Sequence, residues 1–127
     1  MALSKDYKSH KHSLNTLNLL YEYDSFLDSI EVVVDMGCGA GLDTEWWATL
    51  YTRDDPPEPH NYLVYAVDRN TKQLDTDLLD QNPNIKLIEA DFEGSRIIPR
   101  QADLVWCHDA FQFVVNPLQT LSRWNEI

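Results

Sequence analysis

Asp35, Gly37, Gly39 and Gly41 occupy alternate positions in the stretch VVVDMGCGAGLDTEWW, residues 32–47. The chemistry of that spacing is binding rather than bond breaking. Glycine tolerates φ > 0 and lets a ligand lie against the backbone with no Cβ in the way. A helix starting after the glycines would offer free N–H groups in its first turn. A dinucleotide fingerprint, G-x-G-x-x-G, would need glycine at position 42, where this chain has Leu42. A P-loop would need a lysine that GLDT lacks, and a carboxylate beside a pyrophosphate would repel it. Asp35 with tight glycines instead suits a ligand that is cationic at one end.

Other reactive side chains are read against their ordinary structural uses. His108 and Asp109 follow the apolar run ADLVWC. There an acid/base role and a backbone-mediated contact to a ligand both stand open. Asp68 serves equally as a cap before Thr71, and Asp91 as a loop residue, but beside the glycine turn the two favour ligand binding. Trp46 and Trp47 belong to the core and an interface rather than to a substrate platform. His10 and His12, in HKH, have no neighbouring Cys or His and are read as a solvated terminus, so no metal site is assigned. Cys38 and Cys107 show no CxxC spacing and are expected as free, buried thiols in a reducing compartment.

The elements that must position these residues follow from periodicity. Residues 1–12 are polar and basic. Leu14, Leu17, Leu20, Tyr21 and Leu27 predict an amphipathic helix with Ser13 as N-cap. Residues 30–36 predict a buried strand, with three consecutive valines as in a parallel sheet covered on both faces. Asp43 or Thr44 is expected to cap a second helix that places Trp46, Trp47, Leu50 and Tyr51 on one side. Residues 53–61, RDDPPEPHN, predict a loop. Strands follow at 62–67, 85–90 and 102–107. A helix opens at Thr71, with Leu74, Leu78 and Leu79 inward and its end before Pro83. Asn116 and Pro117 open a last helix whose apolar residues, Leu118, Leu121, Trp124 and Ile127, are expected to lack a layer to pack against. This alternation predicts an α/β, doubly wound sheet in a single domain over 13–127.

Composition narrows the partners. The chain has 127 residues, is 43% hydrophobic and carries a formal net charge of −11. That hydrophobic share supports a packed core, and the acidity opposes stand-alone binding to a phosphate backbone. No apolar run approaches the ~20 residues of a membrane span, and MALSKDYKSHKHS lacks the apolar core of a secretory signal. A cytoplasmic protein is expected, with no nucleic-acid or membrane partner.

VVVDMGCGAG resembles motif I of the class I S-adenosylmethionine-dependent methyltransferases, a hydrophobic strand followed by D/E-x-G-x-G-x-G. The resemblance continues in order along the chain. VYAVDRN is similar to the second strand, ending in the acidic residue that holds the ribose hydroxyls, here Asp68 followed by Arg69. IEADFEG is similar to the end of strand three, where Asp91 and the amide of Phe92 would read adenine. ADLVWCHDAFQFVVNPLQTL is similar to strand four and its exit, with His108 near the methionyl part of the cofactor. In general look the chain also resembles small methyltransferases carried in bacteriophage genomes. The resemblance implies a Rossmann-like sheet of order 3-2-1-4, S-adenosylmethionine as cofactor and S-adenosylhomocysteine as product. It assigns cofactor contacts to Asp35, Gly37, Cys38, Gly39, Gly41, Asp68, Arg69, Asp91, Phe92 and His108.

Two features depart from the family pattern. Gly41 and Asp68 are separated by more than the usual ~20 residues, an excess that the Pro-rich loop absorbs. The family sheet continues for about three further strands, so a truncated fold is expected, with strand four as its edge. That edge, LVWC, has no charge or proline to blunt it and predicts pairing with a second copy or a partner chain. The implied activity is methyl transfer to a small molecule or a protein, with His108 and Asp109 as candidate bases. The alternative is a non-catalytic protein that binds the same cofactor as a regulator or subunit.

Overall fold

The computed structural model describes residues 14–22, 25–91, 101–108 and 115–126. Asp109 and Phe92, two of the candidate site residues, lie outside them, as do Ser13 and the histidines at 10 and 12. The first helix, α1, covers 14–22 and buries Leu17 completely. Leu27 does not continue it, contrary to expectation, and enters the core from a separate 3₁₀ turn, Ser25–Asp28. The Ser29 hydroxyl donates to the Phe26 carbonyl at 2.7 Å, the local competition with helical hydrogen bonding that serine offers.

Four strands make one parallel sheet of order β3-β2-β1-β4: β1 Val32–Met36, β2 Leu63–Asp68, β3 Ile85–Glu89 and β4 Leu104–Trp106. This is the predicted order 3-2-1-4. In register, Val33 lies opposite Val64 on β2 and Leu104 on β4, and Asp35 lies opposite Ala66 and Trp106. Three predicted strands are trimmed by one to three residues, and the one expected at 62–67 is shifted by one. The largest change is at β4, three half-buried residues where six were expected. No strand pairs with its outer edge among the described residues.

Each face of the sheet has its own core, which explains why β1 is apolar at consecutive positions. Val33, Val64, Ala66 and Ile85 pack under α1, under α2 (Leu42–Ala48, which supplies Trp47) and under α3 (Thr76–Gln81). Val32, Val34, Met36, Tyr65 and Val67 form the other core, joined by Trp124 of α4 (Pro117–Trp124). Among the described residues, α1, α2 and α3 therefore cover one face and α4 the other, as a doubly wound sheet requires.

Helix ends account for the remaining differences. Gly41, not Asp43 or Thr44, is the N-cap of α2, with no side-chain cap bond, because both of those side chains bond elsewhere. The helix stops at Ala48, so Tyr51 leaves it and bridges Pro59 across the loop instead. The single helix expected from Thr71 is two pieces, a 3₁₀ turn Thr71–Gln73 and α3. Asn70 caps the first and Asp75 the second, so the chain starts a helix twice. Leu74 and Leu78 are buried, as expected. Asn116 caps α4 with Pro117 in the first turn, also as expected. Its buried residues are Thr120 and Trp124, while Leu118 is 82% exposed, in keeping with a face that lacks a covering layer. Trp124 has the larger apolar surface and takes the buried position, which turns Leu118 and Leu121 outward.

Candidate functional site

The carboxyl ends of β1, β2 and β4 meet where the strand order reverses, between β1 and β4. The turn that leaves β1 has all three of its glycines in the left-handed region: Gly37 at φ 78°, Gly39 at 55° and Gly41 at 91°. Four of its amides are satisfied internally. Those of Gly37 and Cys38 donate to the Val67 carbonyl at 2.7 and 3.0 Å, and that of Gly41 to Cys38 at 3.0 Å. The Gly39 amide donates to Asp68 Oδ2 at 2.9 Å. The turn is therefore shaped before any ligand arrives. Its glycines present bare Cα surface to a ligand.

Gly41 has a second reason to be glycine. A Cβ there would stand 2.8 Å from Leu74 Cδ1 and 2.9 Å from Leu78 Cδ2, so α2 starts in direct contact with α3. Cys38 is buried with the same leucines, and neither it nor Cys107 forms a disulfide. Cys38 belongs to the core through its side chain and to the turn through its backbone.

Asp68 ends β2 with both carboxylate oxygens oriented, Oδ2 by Gly39 and Oδ1 by the Asn70 amide at 2.9 Å. The Arg69 guanidinium lies 3.4 Å from Asp91 Oδ2 beyond the end of β3, and both side chains are exposed. Asp35 is different. It is 2% exposed, and its Oδ2 accepts a 2.7 Å hydrogen bond from the Thr44 hydroxyl. Burial pushes its carboxyl up to about 7; the Thr44 bond opposes this, while Asp43 and Asp68 add repulsion.

At the end of β4, the Trp106 indole N–H donates to Asp43 Oδ2 at 3.0 Å. The His108 ring lies nearly parallel to the indole, with centroids 6.3 Å apart and planes at 7°. The sequence reading missed Asp43 and Trp106 as site residues. Asp43 looked like a helix cap and Trp106 like an ordinary apolar strand residue, so only the position of Asp43 directly after the glycines was a signal. Among the described residues, no group of three or more His, Cys, Asp or Glu is placed to hold a metal ion.

The family of methyltransferase domains matches residues 34–127, which spans β1 to α4. The chain belongs to that family. Methyltransferases of this kind generally take their methyl group from S-adenosylmethionine. The match includes the glycine turn, Asp68, Arg69, Asp91 and His108, so the corner described above lies wholly inside it. No curated protein matches the chain. No helix among the described residues is long and apolar enough to cross a membrane.

Proposed function

We propose that this methyltransferase domain binds S-adenosylmethionine at the carboxyl ends of β1, β2 and β4 and transfers its methyl group to a small molecule or a protein. One observation carries the reading: Asp68 is held at the end of β2 by the Gly39 amide, so an oriented carboxylate faces a turn with no side chains on its glycines. The donor set fits the cofactor. A carboxylate with capacity for further hydrogen bonds suits the ribose hydroxyls, and Asp91 with the amide of Phe92 suits the adenine. Arg69 steadies Asp91 at the rim and adds a contact of its own. Gly37, Cys38, Gly39 and Gly41 supply the close backbone approach. Asp35, behind the turn, favours the cationic end of the ligand when ionised.

S-adenosylmethionine supplies a methyl group already activated on a sulfonium. The protein's part is to orient the acceptor in line with that methyl and to exclude water. His108 and Asp109 take up a proton where the acceptor is a hydroxyl or an amine. The net charge of −11 favours small or protein acceptors over nucleic acid. Neither Cys38 nor Cys107 forms a disulfide, which suits a reducing compartment such as the cytoplasm. The outer edge of β4 and the exposed Leu118 and Leu121 support a contact with a second copy, which light scattering tests.

Calorimetry with S-adenosylmethionine and S-adenosylhomocysteine tests the central claim. Binding is expected for both, and Asp68→Ala is expected to weaken it by ~1.5–3 kcal/mol, the loss of hydrogen bonds to a charged acceptor. Absence of heat for both ligands at millimolar concentration overturns the reading. Incubation with methyl-labelled cofactor and a cell extract then separates methyl transfer from binding without turnover.

A further inference from the structure

We propose that Asp43 and Trp106 are positioning residues for His108, and through it for the methionyl end of the bound cofactor. The inference rests on the function proposed above but on different residues.

Asp43 is the second residue of α2, directly after the glycine turn, and Trp106 is the last residue of β4, opposite Asp35 in register. The two elements are far apart in sequence, and the indole–carboxylate bond joins them at 3.0 Å. Tryptophan has a single polar donor, so fixing it to a carboxylate fixes the ring plane. The bond is charge-assisted, hence stronger than a neutral pair. Trp47 adds an edge-on contact to Trp106 at 5.9 Å between centroids. The indole is thus held by a hydrogen bond and by packing, and the His108 imidazole lies parallel to it. The offset stack fixes the tilt of the imidazole at the exit of β4.

A purely structural tie between α2 and β4 is the plainer account. Asp43 is an expensive residue for such a tie, because its charge raises the carboxyl of the buried Asp35. A neutral acceptor would tie the helix to the strand without that repulsion. What a plain tie does not account for is the parallel stack of the His108 imidazole on the ring that Asp43 orients.

The experiment combines a ligand-free and a ligand-bound measurement. In the ligand-free protein, Asp43→Ala should shift the His108 ring proton resonances and the Trp106 indole N–H. Asp43→Asn, which keeps an acceptor oxygen but removes the same charge, should leave both near wild type. In calorimetry with S-adenosylhomocysteine, Asp43→Ala, Trp106→Phe and His108→Ala should each weaken binding roughly tenfold, and Asp43→Asn by no more than about twofold. The Asp43→Ala/His108→Ala double variant should bind no worse than His108→Ala alone, since Asp43 acts through the imidazole. Additive losses, equal losses for the alanine and asparagine variants, or no loss in His108→Ala would each overturn the proposal. If the wild type shows no binding but the His108 resonances respond to Asp43→Ala and not to Asp43→Asn, the positioning stands and the cofactor reading falls.

Discussion

The two ends of the sheet are built on opposite principles. Where the strands begin, polar side chains satisfy the backbone of distant segments. The Asn84 amide donates to the carbonyls of Ala48 and Tyr62 at 3.0 and 2.9 Å. Asp103 Oδ2 accepts the amides of Glu31 and Val32 at 2.8 and 2.9 Å. The Tyr62 hydroxyl donates to the Leu27 carbonyl, and burial, with Asp28 nearby, pushes its ionisation up to about 12, so it stays a donor at any ordinary pH. Where the strands end, three glycines are left-handed and Asp43 and Asp68 repel the buried Asp35. One end fastens the fold, while the other stores electrostatic cost at the proposed cofactor site. Such costs collect at functional sites because the rest of the fold holds them in place.

Removing the stored charge challenges this contrast most strongly. The carboxyl of Asp35 is pushed up to about 7 in the folded protein from an ordinary 3.8, first by burial. Between those values the unfolded chain gives up a proton that the folded chain keeps. Stability therefore falls as pH rises from about 4 to about 7, then levels off. Asp35→Asn keeps an oxygen for the Thr44 hydroxyl and cannot ionise. At pH 8 it should be more stable than wild type by up to ~4 kcal/mol, because each pH unit between the two values is worth about 1.4 kcal/mol. The advantage should vanish near pH 4. Urea unfolding of both proteins across that range checks it, and a constant difference would mean that the folded protein solvates the carboxylate after all. Cofactor affinity should fall in the same variant, since the negative charge behind the turn is gone.

Gly41 is the next largest effect and has the opposite sign. Gly41→Ala forces an L-residue to φ 91° and pushes its methyl against Leu74 and Leu78, both buried. Strain and overpacking together should cost roughly 2–3 kcal/mol. The urea midpoint measures it. A loss under about 0.5 kcal/mol would show that the leucine ends yield freely and that this glycine is not a packing residue.

How far the sequence carried the fold depends on what each residue competes with. The valine run at 32–34 and the alternation of elements were legible because patterning and topology agree there, whereas the order 3-2-1-4 came from the family resemblance. The helix from Thr71 was not, because Asn70 and Asp75 both cap, and only the geometry shows that two starts fall within one apolar stripe. That Trp124 would find a core while Leu118 and Leu121 stay exposed was not legible, because periodicity gives a helix face without saying which side the sheet is on. In the site, the glycine turn and Asp68 were legible from type and spacing. The burial of Asp35 and the Asp43–Trp106 bond were not, since both depend on how far α2 tilts over β1 and β4.

The smallest effect tests the fastening end. Asn84 precedes β3, and its one amide group serves two carbonyls from different segments, the end of α2 and the start of β2. Asn84→Ala leaves both carbonyls half-buried without that donor, while the Asn84 backbone still accepts from Val64. Water can reach part of the gap, so the cost should be ~1–2 kcal/mol rather than the full penalty for two orphaned acceptors. Affinity for S-adenosylhomocysteine should stay within about twofold of wild type, because the defect sits at the opposite end of rigid, paired strands. Thermal unfolding and calorimetry on the same variant give the two numbers. A drop in affinity that tracked the drop in stability would show that β2 transmits strain along its length, and the two ends would then have to be treated as one coupled unit.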